Sequence, residues 1–270
     1  APFFFQAFTM YPDAPGGALL MVAVLALATD EEPSTARLVA YGGALALLPW
    51  LHTRFAILAL MAGAVLARRL MVAAGGVRRT SALLALPMAS ALAWFAFFYV
   101  IYGTPDPAAP YNGYTQTSMA NLARGIPGLL FDQQFGLLPN APAYLCAALG
   151  LVTLVRRSPR LAGELIAIAA PYSVAVAAYQ MWWAGYSSPA RFLTPVLLPL
   201  AIPAGIWFAA RRSKGARTLG IASVVVSLLI TVTIATVDRG ALLFNSRDGA
   251  SRLLLWLSPL VNVSTGLPSL

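Results

Sequence analysis

Eight apolar stretches occupy most of this sequence and restrict what it can fold into. They lie at about residues 14–29, 36–51, 54–67, 81–102, 142–155, 162–183, 192–210 and 218–237. A helix needs about 20 apolar residues to span the hydrocarbon core of a bilayer, where every backbone polar group must be paired within the protein. Several stretches are short for a complete crossing. The pattern predicts an all-α polytopic membrane protein with about eight transmembrane helices, forming one helical domain over residues 1–270.

The composition agrees with a membrane environment. Hydrophobic residues make up 59% of the chain and charged residues only 10%, whereas a soluble domain is usually about a quarter charged. The formal net charge of +9 would suggest a nucleic-acid partner only if it formed a basic stripe on a soluble face. The arginines instead cluster between apolar stretches, which is typical of membrane proteins. No nucleic-acid partner is therefore predicted.

The second and third stretches are separated only by the letters LHTR. Residues 36–67 are therefore expected to form either a tight helical hairpin or one long bent helix. Pro49 favours a break in this region, because proline removes a backbone donor and clashes with the preceding turn.

The distribution of basic residues predicts the orientation. The linkers 68–79, 156–160 and 211–217 hold four, three and four cations, and all three fall on the same side of an eight-helix threading. The positive-inside rule makes that side cytoplasmic. The loop 103–141, the LHTRF corner, the segment 182–192 and an interfacial tail over 238–270 are then expected outside. An even number of crossings also puts both chain ends outside, so at least one further helix is expected upstream.

The loop 103–141 is longer than connections normally run unless they are functional. Its second half, GIPGLLFDQQFGLLPNAP, predicts a short element along the membrane surface, with Phe131 and Phe135 pointing inward. Asp132, Gln133 and Gln134 would then face a polar cavity. The alternative is a solvated turn between two interfacial segments.

The LHTRF corner places the only histidine, His52, beside Arg54 at the outer mouth of two helices. This pair is interpreted either as a structural hydrogen-bonding group or as a contact for an anionic substrate, with catalysis by His52 as a further alternative. One imidazole cannot supply a metal site by itself.

The segment WWAGYSSPARF at 182–192 contains one arginine, Arg191, among aromatic residues. A charge near lipid is costly unless it reaches water, finds a partner or faces a cavity, and a guanidinium is a good planar partner for phosphate. Trp182, Trp183 and Tyr186 offer flat faces for a sugar ring. This pattern indicates a substrate-binding cluster; the alternative is an interfacial aromatic belt with an arginine that reaches out of the membrane.

Carboxylates on the outer side are scarce, and none are adjacent to each other. Asp13 and Asp132 are the candidate catalytic carboxylates. The alternative role of Asp13 is to cap the first helix. The sequence has no Walker A loop, no dinucleotide-binding fingerprint and no HExxH motif. No cofactor is predicted, and dependence on a divalent metal is left open.

Four segments, MYPDAPGGALL, LLPWLHTRFAIL, GLLFDQQFGLLPNAPAYL and MWWAGYSSPARFLTPVLLPLA, resemble bacterial members of the membrane glycosyltransferase C superfamily. These are akin to protein mannosyltransferases and lipid A aminoarabinose transferases. The resemblance runs from about residue 8 to residue 203, as short motifs between generic apolar sequence.

The resemblance implies an enzyme of the bacterial inner membrane that moves a sugar from a polyprenyl-phosphate donor to an extracytoplasmic glycan, lipid or protein acceptor. It implies donor contacts from Arg191 with its neighbouring aromatics and from the His52–Arg54 pair. The family's catalytic acid normally lies in the first outer loop, so it is expected upstream of this sequence, and the fragment alone is expected to be inactive.

Three other functions stay open at this point. A transporter or flippase of a lipid-linked or sugar substrate would have interrupted helices and ionisable residues at mid-membrane depth. Four prolines, Pro171, Pro195, Pro199 and Pro203, are positioned to break helices. An O-antigen-polymerase-like enzyme would also use outer-loop arginines, and a non-catalytic membrane scaffold would need none of these residues.

Overall fold

A computed structural model describes residues 2–7, 9–29, 32–111, 116–210, 213–247, 250–261 and 266–270. Arg211 and Arg212 of the third basic linker lie outside the described residues. Within the described residues the regular secondary structure is helical, which confirms the all-α prediction.

Thirteen α-helices are present in this described part of the chain. They are α1 (Pro2–Ala7), α2 (Asp13–Ala28), α3 (Thr35–Leu51), α4 (Phe55–Met71), α5 (Gly76–Tyr102), α6 (Leu122–Phe131), α7 (Leu137–Asn140), α8 (Tyr144–Arg157), α9 (Pro159–Ala177), α10 (Thr194–Leu197), α11 (Ala201–Ala209), α12 (Lys214–Thr236) and α13 (Arg252–Leu257). Four 3-10 helices join them, at Ala109–Tyr111, Met119–Asn121, Arg191–Leu193 and Val237–Leu243.

Each of the eight apolar stretches contains helix, but the helices differ in length. Three of those described are long and apolar enough to cross a membrane: Gly76–Tyr102, Pro159–Ala177 and Lys214–Leu243. A fourth span is formed if Arg191–Leu197 and Ala201–Ala209, which are bent by 60° at the break between them, count as one. The described part of the chain is therefore helical, with three or four spans that could cross a membrane, and the number of eight crossings stays a prediction.

The region 36–67 is two helices, α3 and α4, rather than one bent helix. The break that Pro49 favours in this region is present a few residues further on, because α3 contains Pro49 and continues to Leu51. The helix ends at His52, whose extended backbone (φ −166°, ψ 138°) cannot continue it. A proline near a helix end removes a single donor, so the last residues can stay helical around it.

The chain divides into two compact units. The first unit comprises Ala1–Ala14, Thr117–Pro159 and Ser173–Leu270, and the second comprises Pro15–Gln116 and Arg160–Tyr172. The helices α2 and α9 contribute residues to both.

In the second unit, α3 and α5 pack very closely. A Cβ added at Gly42 would lie 2.2 Å from the carbonyl oxygen of Leu83, so only glycine fits at this contact. Toward one end of the unit, Phe55 lies against Tyr172, with ring centroids 6.1 Å apart, and against the backbone of Gly16. These contacts align α2, α4 and the later part of α9.

At the opposite end of the second unit, two arginines, Arg69 and Arg79, link three parts of the chain through hydrogen bonds and an ion pair. The Arg69 guanidinium donates to the carbonyls of Ala26 and Leu27, and its Nε lies 3.8 Å from Glu164 in α9. Arg79 donates to the carbonyl of Pro33. The basic linker 68–79, the end of α2 with Pro33, and the start of α9 therefore lie together.

In the first unit, α8, α11 and α12 make close contacts through small residues. A Cβ at Gly150 would lie 1.8 Å from the carbonyl oxygen of Pro203, and one at Gly220 would lie 2.3 Å from the Trp207 ring. A hydrophobic cluster of Phe5, Ile234, Leu242 and Leu253 joins α1 to the C-terminal region. The described part of the tail 238–270 is thus packed into this unit.

Candidate functional site

The segment 182–192 lies beyond the end of α9 and forms an irregular turn. Ala184, Gly185 and Ala190 have positive φ angles of 68°, 72° and 53°, a backbone region that residues with a Cβ seldom adopt. Backbone pairing holds the turn in place: Ser187 forms an antiparallel bridge with Asn245, and the Ala190 N–H donates to the Phe135 carbonyl at 2.8 Å. The predicted binding segment is therefore built by tertiary contacts.

Arg191 forms an ion pair with Asp13. Its Nε lies 3.1 Å from Asp13 Oδ2, and the two side chains are 13% and 0% exposed. The guanidinium also donates to the Ala184 carbonyl at 3.3 Å, and its central carbon lies 3.4 Å from the Tyr11 ring centroid. Two residues predicted separately, as a catalytic carboxylate and as a phosphate ligand, thus meet. The Asp13 carboxylate occupies the position at which a substrate phosphate was expected.

A second polar segment, Asp132 to Gln134, is buried. Asp132 Oδ1 accepts from the backbone N–H groups of Gln134 (2.8 Å) and Phe135 (2.9 Å), and Oδ2 accepts from the Leu270 N–H at 2.8 Å. An aspartate that caps its own following backbone is a common turn-forming device. This carboxylate therefore ties the turn after α6 to the C-terminal segment.

The two glutamines complete this buried segment. Gln133 Nε2 donates to the Leu267 carbonyl at 3.4 Å, and the Gln134 carbonyl accepts from Asn245 Nδ2 at 3.1 Å. Of the two flanking aromatic residues expected to point inward, Phe135 is 1% exposed and Phe131 is 46% exposed. The short element predicted in this loop is present as α6.

His52 and Arg54 belong to the second unit. The backbone N–H of Arg54 donates to His52 Nδ1 at 3.3 Å, and the Arg54 guanidinium carbon lies 5.1 Å from the Phe55 ring centroid. The His52 ring is tilted against the same phenyl ring at 5.9 Å. These contacts shape the corner between α3 and α4, and the role of the pair stays a prediction.

A cavity of about 550 Å³ opens in the first unit beside the two tryptophans. Seven residues line it: Ala120, Asn121, Arg124, Gln180, Trp182, Trp183 and Arg247. The Trp182 ring rests on α6, since a Cβ at Gly128 would lie 2.4 Å from it. Its neighbour Trp183 stands nearly perpendicular to it, with centroids 5.8 Å apart and an interplanar angle of 85°.

The guanidinium of Arg247 lies over both indoles. Its central carbon is 4.6 Å from the Trp183 centroid and 5.3 Å from the Trp182 centroid, within the range of cation–π attraction. Arg124, in the first turn of α6, adds a second and more exposed cation. The cavity therefore combines two positive charges with two flat aromatic faces and the amide of Gln180, which suits an anionic group attached to a ring.

The cavity contains only part of the set predicted from the sequence. Trp182 and Trp183 line it, whereas Tyr186 stacks on Phe244 at 5.4 Å and lies 5.7 Å from the guanidinium carbon of Arg252. Arg124 and Arg247 were missed as site residues because no motif surrounds them. Their one signal was that they belong to the few cations on the predicted outer side.

Among the described residues, no group of three or more histidine, cysteine, aspartate or glutamate side chains is placed to hold a metal ion. Among the described residues that line the cavity there is no carboxylate, and the two guanidinium groups equip it to bind an anion. Comparison of the chain with family models, curated proteins and solved structures gives no match.

Proposed function

We propose that this protein is a membrane glycosyltransferase-like protein that takes a sugar from a polyprenyl-phosphate-linked donor and passes it to an extracytoplasmic glycan, lipid or protein acceptor. The observation that supports this proposal is the cavity in which Arg124 and Arg247 lie beside Trp182 and Trp183. The motif resemblance to the membrane glycosyltransferase C superfamily points to the same chemistry.

The chemistry of the cavity fits a sugar joined to a lipid phosphate. Guanidinium groups bind phosphate oxygens through short, charge-assisted hydrogen bonds, and indole rings offer an apolar face with a polar edge. The cavity volume of about 550 Å³ lies within the usual range for small-molecule sites, about 300–1,000 Å³. In this proposal Arg247 and Arg124 hold the phosphate and the two tryptophans contact the sugar.

The proposal places the cavity on the extracytoplasmic side of a bacterial inner membrane. In the eight-helix threading, α6 and the turn after α9 lie opposite the basic linkers, and that side is extracytoplasmic by the positive-inside rule. The long helices at Gly76–Tyr102, Pro159–Ala177 and Lys214–Leu243 support a membrane location.

Transfer would proceed through an oxocarbenium-like transition state. The bond between the anomeric carbon and the phosphate oxygen breaks, the acceptor oxygen bonds to that carbon, and the acceptor proton passes to a general base. Arg124 and Arg247 would stabilise the charge that grows on the departing lipid phosphate, an electrostatic effect that is usually the largest in such catalysis. The base comes from outside the seven lining residues.

The test is a titration of the detergent-purified chain with undecaprenyl phosphate, followed by tryptophan fluorescence. We expect saturable binding that Arg124→Gln and Arg247→Gln each weaken by about tenfold or more, since a hydrogen bond to a charged group contributes about 1.5–3 kcal/mol. Arg217→Gln is the matched control, because Arg217 is exposed and does not line the cavity. Equal affinities for the wild type and the Arg124→Gln, Arg247→Gln double variant would refute the proposal.

A transporter or flippase of a lipid-linked sugar is the second candidate. The observation that favours it is the 60° bend between Arg191–Leu197 and Ala201–Ala209, because broken helices are frequent in transporters. Proteoliposomes loaded with a fluorescent polyprenyl-phosphate sugar distinguish the two functions: movement of the intact lipid between leaflets indicates a flippase, and cleavage of its sugar–phosphate bond indicates a transferase.

A further inference from the structure

A separate cavity of about 290 Å³ lies in the second unit, at the end where the basic linker 68–79 meets the α2–α3 connection. Three arginines line it, Arg69, Arg79 and Arg160, together with apolar side chains that include Leu38, Leu66 and Leu83. It shares no lining residue with the tryptophan cavity. A space with both guanidinium groups and leucine walls is amphipathic, as is a lipid headgroup with its attached chains.

The three arginines differ in how firmly neighbouring residues hold their guanidinium groups. Arg69 is fixed by the carbonyls of Ala26 and Leu27 at 3.2 and 2.8 Å. Arg160 is 59% exposed and is paired with Glu164 at 3.2 Å, one helical turn away. Its partner Glu164 is 11% exposed and also lies 3.8 Å from Arg69. Arg160 can therefore turn toward a second anion while Glu164 keeps a basic neighbour.

Arg79 carries the most informative contact. Its Nη1 lies 3.0 Å from Glu32 Oε2, and the arginine side chain is 17% exposed whereas the glutamate side chain is 76% exposed. The guanidinium is thus held in the wall of the cavity, also by the Pro33 carbonyl at 3.1 Å. Its carboxylate partner Glu32 also lines the cavity but is mostly exposed. Carboxylate and phosphate bind the same face of a guanidinium. Glu32 therefore occupies the position on the Arg79 guanidinium that a phosphate group would take.

We propose that this cavity binds the phosphate of an anionic phospholipid in the membrane leaflet that faces the basic linkers. The phosphate displaces Glu32 from Arg79 and draws Arg160 toward it, and the acyl chains lie along the leucine walls. Two features favour a lipid over a free phosphate ion: the apolar lining, and the position beside a cation-dense linker of the kind that binds anionic headgroups at membrane surfaces.

The test uses the whole chain in detergent, titrated by calorimetry with dioctanoyl phosphatidylglycerol, dioctanoyl phosphatidylcholine and inorganic phosphate in parallel. We expect phosphatidylglycerol to bind preferentially. Arg79→Gln and Arg160→Gln should each weaken this binding about fivefold, the effect of about 1 kcal/mol per basic side chain near an anionic membrane surface. Glu32→Gln should strengthen it, because this change removes the competing carboxylate without removing a ligand.

Three controls make the outcome decisive. Arg79→Lys keeps the charge and should retain most of the affinity, which separates loss of charge from loss of folding. Arg217→Gln removes one exposed positive charge elsewhere and should have no effect. The Arg124→Gln, Arg247→Gln double variant should keep its phosphatidylglycerol affinity, which separates this site from the proposed donor site. Equal binding of the two lipids, equal binding of inorganic phosphate, or weaker binding by Glu32→Gln would overturn the proposal.

Discussion

Two arginine clusters in the first unit use the same chemistry for different purposes. Arg191 is 13% exposed and is paired with the fully buried carboxylate of Asp13. Arg247 instead lies over two indole rings at the edge of a cavity, and Arg124 beside it is exposed. Arg191 belongs to the same sequence segment as Trp182 and Trp183, but it does not line the cavity that those two tryptophans line.

The difference follows from where each positive charge finds its counter-charge. A buried ion pair compensates its own desolvation, and removal of one partner leaves an uncompensated charge in a medium of low dielectric constant. A cation–π contact at a cavity wall leaves the hydrogen-bond donors of the guanidinium open toward a ligand. The Asp13–Arg191 pair therefore belongs to the framework of the unit, and the pair of Arg124 and Arg247 is available for binding.

The largest expected effect is from Arg191→Ala. If Arg191 only binds substrate, this change should cut activity and leave folding intact. The buried pair instead predicts a loss of about 3–5 kcal/mol in the free energy of unfolding, because the change removes the ion-pair partner of a fully buried carboxylate. Denaturant unfolding in detergent measures it. The double variant Asp13→Asn, Arg191→Gln should recover part of the loss, and Arg217→Ala should change stability by no more than about 0.5 kcal/mol. A stable Arg191→Ala variant would break the comparison.

An intermediate effect is expected from Gly128→Ala, which acts on the cavity alone. The new Cβ would lie 2.4 Å from the Trp182 ring, so the indole must shift and the cation–π contact with Arg247 is lost. We expect an overpacking cost of about 1–3 kcal/mol and a clear fall in affinity for undecaprenyl phosphate by fluorescence titration. Gly205→Ala is the matched control, because nothing lies within 4 Å of its added Cβ. Unchanged binding by Gly128→Ala would mean that Trp182 does not shape the site.

The smallest effect is expected from Tyr186→Ala. The Tyr186 ring stacks on Phe244, outside the cavity, although the sequence groups it with Trp182 and Trp183. Its loss should remove an aromatic pair contribution of about 0.5–1.5 kcal/mol from stability and change undecaprenyl-phosphate affinity by less than about twofold. The same titration and unfolding measurements apply. A tenfold loss of affinity would return Tyr186 to the binding site and enlarge it beyond the present cavity.

Local sequence predicted the helices better than their ends. All eight apolar stretches contain helix, but α9 ends at Ala177, before the tryptophans included in the stretch 162–183. The stretch 192–210 is interrupted between Arg191–Leu197 and Ala201–Ala209. Pro49, which favours a break in the region 36–67, lies inside α3, and the break follows at His52. Helix ends depend on which tertiary partners accept the freed backbone groups, such as Phe135 and Asn245 at the segment 182–192.

The helical character of the chain and its long apolar segments follow from local sequence, because apolar length and the scarcity of charge constrain each segment separately. Which charges pair with each other is visible only in the three-dimensional contacts. Asp13 and Arg191 are 178 positions apart. Arg124 and Arg247, from two distant segments, line the same cavity. The partner of a buried charge is set by packing across the fold, and no spacing along the chain carries that information.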